Sequence, residues 1–223
     1  MPRKPISTVM RIPRGYRSVE AAVFIAQMDD LTVRLVADVR GLSSRELQWQ
    51  PGPGRNSIGM LLAHLAVVEV WWLGGPALGK TDVDFRRVIG IEADDDGMPA
   101  APTARHPRTL RSKPLSFYLG LLRRSRAFVR RRAREMTARE MERPMKRFWK
   151  SQLVDHHFNI RWVLYHVLEH FGGHYGQILL LKELMRAKAP RRAKSGAATR
   201  RSSAGDRSTR GRAAAKRAKR SRS

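Results

Sequence analysis

The chain has 223 residues, 42% of them hydrophobic, enough for one globular domain with a single core plus an appendage. It contains no cysteine, which excludes a disulfide scaffold, thiolate metal ligands and a cysteine nucleophile, so any thiol chemistry must use a thiol brought in by a ligand. The formal charge of +26 is unevenly placed: Ala187 to Ser223 hold 14 Lys/Arg against one Asp, half of the excess.

No run of about 18 uncharged apolar residues is present, so no transmembrane helix is predicted and no membrane association is expected. The basic start MPRKPISTVMRIPRGYRSV lacks a continuous apolar stretch before a small-residue cleavage site and does not read as a secretory signal. A cytoplasmic protein is the expectation.

In chain order, residues 1–16 read as an N-terminal extension. Arg17 to Val39 reads as a first helix, because Ala21, Phe24, Ile25, Met28, Leu31 and Leu35 recur at spacings of three and four. Gly41 stops it, and Pro51-Gly52-Pro53-Gly54 makes a loop. A second helix begins at Asn56 or Ser57, both good N-caps. Its inward stripe is Leu61, His64, Leu65, Val68 and Trp72. Gly74-Gly75-Pro76 ends it, and a long connection follows, with a short helix near Val83 to Ile89. Asp94-Asp95-Asp96 lacks the alternate spacing and terminal Glu of a calcium loop, and His106 sits in a basic stretch and reads as solvated.

A third helix is predicted from Leu115 to Met136, with Leu119, Leu122, Phe128 and Val129 as core. Its run of Arg123, Arg124, Arg126, Arg130, Arg131, Arg132 and Arg134 reads as a solvated face. His156 and His157 fall in the loop before a fourth helix, predicted from Asn159 to Met185. The inward stripe of that helix includes Val163, His166, Val167, His170, His174 and Ile178, followed by Leu181. Trp71, Trp72 and Trp162 are expected to pack the bundle. From Ala187 to Ser223 there is no aromatic or large aliphatic residue to offset the entropy of ordering, so a disordered tail is predicted.

The histidines carry the functional signal. On a helix, residues four apart share a face, so two imidazoles at that spacing can converge on one ion. His166, His170 and His174 cannot all do so, because the first and last are about 12 Å apart along the axis and metal–nitrogen bonds are about 2.1 Å. One i,i+4 pair plus His64 is the unit that spacing allows. Three protein ligands leave a coordination position open, as in catalytic sites. Glu69 and Glu169 are acceptors that a ligating imidazole could use for its second nitrogen, but neither offset places them there, and both stay outside the expected site. Gly172-Gly173 inside the last helix implies either a close helix contact, the preferred reading, or room for substrate.

Two strings, GLSSRELQWQPGPGRNSIGMLLAHLAVVEVWWL from Gly41 to Leu73 and NIRWVLYHVLEHFGGHYGQI from Asn159 to Ile178, resemble the DinB/YfiT-like superfamily of metal-binding four-helix bundles. They carry its order of landmarks: a loop with Trp and Pro, an N-S-I-G helix start, one His in that helix, and a late helix ending in E-H, a spacer, then H-x-G-Q. The resemblance spans Arg17 to Arg186, with no motif between Gly74 and Lys113. It implies an all-α fold, a four-helix bundle in up-down-down-up order over residues 17–186 with a basic tail over 187–223. It also implies that His64, His170 and His174 hold a divalent ion, and that His166, one turn earlier, has a supporting or core role. Imidazole suits Zn²⁺, Ni²⁺ or Fe²⁺ alike.

The resemblance further implies a metal-dependent transferase of a low-molecular-weight thiol, or a hydrolase, with a small-molecule substrate. Two other readings stay open: a stress protein that binds metal or a small ligand without turnover, and a nucleic-acid-associated protein whose tail over 187–223 contacts phosphates without sequence preference. A homodimer is also left open.

Overall fold

The computed structural model describes residues 8–75, 83–149 and 153–188. Among them the chain is mostly helical. Helix α1 (Val19–Val39) starts where the Ser18 hydroxyl accepts the Ala21 N–H, and it ends before Gly41, whose φ of 81° carries the chain away. A short helix α2 (Ser44–Leu47) follows, then α3 (Ile58–Gly74), N-capped by Ser57, and α4 (Phe85–Ile89). The connection then makes two single turns, Ala93–Asp96 and Arg108–Leu110, before α5 (Leu115–Glu135) and the short α6 (Ala138–Glu142). A two-stranded hairpin, β1 (Met145–Trp149) and β2 (Val154–Phe158), leads into α7 (Ile160–Lys188), where Asn159 accepts the Trp162 N–H.

The four long helices are the predicted ones to within a few residues. They pack as a ring: α1 against α5 and α7, and α3 against the same two partners. Helix α3 is the most enclosed, with 14 of its 17 residues buried, His64, Val68 and Trp71 being the partial exceptions. The stripe read from the sequence was therefore too narrow, since a helix apolar on all sides is a buried one rather than an amphipathic one. Its approach to α5 is close enough to need glycine: a Cβ at Gly59 would fall 2.6 Å from the Tyr118 hydroxyl oxygen and 3.0 Å from the Leu47 carbonyl.

Three local expectations are corrected. His156 and His157 are on β2 and not in a loop; they pair with Arg147 and Lys146 across an antiparallel register. Strands of five residues with charged and aromatic positions side by side carry too few turns of period two to be read. The hairpin is anchored instead by tertiary contact, Phe158 packing edge-on to Trp72. Helices α2 and α6 were also unread, although each has a capping box visible in the sequence, Ser43 with Glu46 and Thr137 with Glu140. Finally, α7 runs to Lys188, two residues into the expected tail. The remainder of that tail, from residue 189, lies outside the described residues.

The arginine run on α5 is only partly a solvated face. Arg126 is buried, with its guanidinium 2.6 Å from Glu69 Oε1 and 3.3 Å from Asp29 Oδ1, and it also donates from Nε to Glu69 Oε2. Glu69, itself buried, further accepts the Ser125 hydroxyl. This network joins α1, α3 and α5 in the interior. Arg124 donates twice to the carbonyl of Ile89, holding α4 onto α5.

Candidate metal centre

Helices α3 and α7 face each other within the ring, and each presents histidine to the seam. His64 comes from the middle of α3, and His170 and His174 come from successive turns of α7. Their ring nitrogens lie within 4.8 Å of one another. The three Nε2 atoms converge: His64 Nε2 is 3.2 Å from His170 Nε2, and His174 Nε2 is 3.0 Å from the same atom. Three nitrogens at about 2.1 Å from a tetrahedral ion would be separated by about 3.4 Å; the His64–His170 and His170–His174 separations stand within a few tenths of an ångström of that, and the His64–His174 pair lies within 4.8 Å.

The opposite edges of two rings are held by protein. His64 Nδ1 is 2.8 Å from Asp96 Oδ2, and His174 Nδ1 is 3.0 Å from Gln177 Oε1. The Asp96 carboxylate can only accept, so His64 Nδ1 donates and the Nε2 of the neutral ring carries a lone pair; with the Gln177 oxygen facing it, His174 takes the same tautomer. His170 has one Nε2 hydrogen at most, which can satisfy only one of its two neighbours. Without a cation at least one lone pair therefore faces another nitrogen with nothing between them, which is costly in a shielded site. Burial, then the neighbouring His174, His64 and His166, hold His170 down at a pKa of about 3, and burial lowers His174 as well. At neutral pH these two are unprotonated. A divalent ion is what this donor set fits.

His166 is not part of the convergence. It stacks on Trp162, with ring planes 5° apart and centroids 4.8 Å apart, and meets the edge of Trp72. Its ring lies 6.0 Å from that of His170. Trp72, Trp162 and His166 thus form an aromatic wall beside the histidines, continued by His156 stacked on Phe158.

The acceptor to His64 was missed in the sequence. Asp96 is only 1% exposed and comes from the connection between α4 and α5, where three consecutive aspartates suggested at most a poor calcium loop. Of the two acceptors considered instead, Glu69 is committed to Arg126, and Glu169 lies 3.9 Å from His166 Nδ1. The S-x-x-E and i,i+4 patterns are local; a contact 32 residues away leaves no local trace.

His106 is also corrected. It is buried, not solvated: Nδ1 is 2.8 Å from Ser57 Oγ and Nε2 is 3.1 Å from the Leu110 carbonyl, while its N–H donates to Gln50 Oε1. Close packing at Gly172 and Gly173 is not found either. A Cβ at either position meets nothing within 4 Å, nor does one at Gly176, so this part of α7 borders open space.

A family model described as mycothiol-S-transferase matches residues 24–187, which take in most of α1, all of α3 and α5, nearly all of α7 and all three converging histidines. Among curated proteins, none matches the chain.

Proposed function

The chain belongs to the mycothiol-S-transferase family, a branch of the DinB/YfiT-like superfamily, and from that premise we propose that it is a metal-dependent transferase that joins a low-molecular-weight thiol to an electrophilic small molecule. His64, His170 and His174 hold the ion, a Zn²⁺, Ni²⁺ or Fe²⁺. When bound, a divalent ion lowers the proton affinity of a thiol or water at its open position and so supplies a nucleophile at neutral pH.

The chain's own residues do the rest. Three histidines would hold the ion, and a set of three protein ligands would leave a coordination position for a thiol. Having no cysteine, the chain offers no thiolate of its own to compete for that position. The wall of Trp72, Trp162 and His166 shields one flank from water. A new sulfur–carbon bond forms, and the thiol proton leaves to solvent or to the group displaced from the electrophile. Hydrolysis, with water in place of the thiol, is the alternative use of the same position.

The observation that carries this reading is the convergence of three Nε2 atoms, two of whose rings are met from behind by Asp96 and Gln177. The test uses untagged protein. Elemental analysis is expected to return about one divalent ion per chain, and mycothiol with a fluorogenic electrophile such as monochlorobimane is expected to be consumed. Chelation should stop that consumption, and restored metal should revive it. Turnover that survives complete chelation overturns the reading. One ion per chain without consumption of any thiol would favour a binding protein.

A further inference from the structure

We propose that Asp96 is a positioning residue for the metal centre: its carboxylate fixes His64 in the tautomer and ring orientation that ligation requires. The inference rests on the metal reading above and adds a residue that no sequence motif marks.

The geometry is specific. Asp96 Oδ2 lies 2.8 Å from His64 Nδ1, while Oδ1 accepts the Met98 N–H at 2.9 Å. Both oxygens are thereby used, and the carboxylate cannot rotate without losing one bond. A buried carboxylate can only accept, so the hydrogen of a neutral His64 must sit on Nδ1 and the lone pair on Nε2, aimed at His170. A water in the same place could donate or accept and would leave both tautomers available. A carboxylate behind a ligating imidazole also raises its basicity, and losing such a partner typically weakens metal binding about 10- to 100-fold.

The loop carrying Asp96 is built to hold it. The turn Ala93–Asp96 packs on α3. Its start is closed by Asp95 Oδ2 accepting the Glu92 N–H, and Thr109 Oγ donates to the Asp95 carbonyl, tying this turn to Arg108–Leu110. Asp94, Asp95 and Asp96 are identical in type, yet only Asp96 is buried and faces the histidine. Gln177, behind His174, is a weaker device, since it is exposed and its amide can present either end.

The test compares Asp96→Asn with Asp94→Asn in the full-length chain. Asparagine keeps the shape but offers one acceptor to two donors, His64 Nδ1–H and the Met98 N–H. Metal-free protein is titrated with Zn²⁺ against a chromophoric chelator. D96N should bind about 10- to 100-fold more weakly than wild type, and D94N, at an exposed aspartate of the same run, should match wild type. Equal affinity of D96N and wild type overturns the role of Asp96 while leaving the metal site standing. A wild-type chain that takes up no metal overturns the metal reading, and this inference with it.

A second measurement needs no variant and holds even if D96N fails to fold. In zinc-loaded wild type with ¹⁵N-labelled histidine, His64 should show a protonated Nδ1 coupled to a metal-bound Nε2. Protonation at Nε2 overturns the proposal.

Discussion

His106 and His170 are imidazoles shielded by the same bundle, and they differ in what their two nitrogens meet. At His106 both find protein partners, the Ser57 hydroxyl on one side and the Leu110 carbonyl on the other. At His170, Nε2 meets two further Nε2 atoms, neither of them a dependable donor. The first ring is complete within the fold and ties the start of α3 to the long connection. The second has only other imidazoles at that nitrogen, and a cation, as proposed, would complete it. Burial alone does not separate a structural histidine from a ligand; the ledger of donors and acceptors does.

That contrast is broken most directly by alanine. His64→Ala or His174→Ala should weaken metal binding by more than about 100-fold, since losing even an outer partner costs up to that much; equilibrium dialysis with Zn²⁺ reads it. His106→Ala should leave metal content unchanged. It should instead lower unfolding free energy by about 2 kcal/mol, because the Ser57 hydroxyl loses its ring partner in the interior. Denaturant melts of the metal-free proteins measure this, and a matching loss of metal at His106→Ala would erase the distinction.

Acid should affect both places. Burial holds His106 below the ordinary imidazole value, and His170 stands at about 3. A histidine with a depressed folded pKa takes up its proton first in the unfolded chain. Stability of the metal-free protein should therefore be full above about pH 6.5 and fall as pH drops from there toward 3. His170→Gln should flatten that slope in pH-dependent melts. An unchanged slope would mean that His170 is already protonated when folded.

Smaller effects sharpen the boundary of the site. His166→Ala removes a stacking partner of Trp162 but no converging nitrogen, and it should reduce metal affinity less than about tenfold. Deleting residues 189–223 should leave both melting temperature and metal content nearly unchanged. If that basic segment engages polyanions, the deletion should also flatten the salt dependence of DNA binding measured by fluorescence anisotropy.

The parts of this molecule legible in the sequence are those with a local period. Ala21, Phe24, Ile25, Met28 and Leu35 recur with the turn of a helix, and all five are buried on α1. The i,i+4 spacing of His170 and His174 likewise forces them together once α7 forms. What brings His64 to them is the α3–α7 contact, which the inward stripes of the two helices allowed and the resemblance specified. Asp96 and the partners of His106 were not legible, because each depends on where an irregular connection settles over α3. Nothing in its composition separates Asp96 from the two aspartates before it. Glu69 stayed outside the expected site because its offset on the helix does not follow His64, and the helix turns it toward Arg126.

Gly172, Gly173 and Gly176 bracket His174 with backbone that no side chain covers. Each glycine in a helix interior costs about 1 kcal/mol against alanine, so this turn and a half of α7 opens more readily than the enclosed α3. Its amides should exchange with deuterated solvent through local opening well before those of the core. An ion held by His170 and His174 would pin the turn before that stretch to its middle and slow the exchange, so that α7 would gain its final rigidity from the cargo it carries.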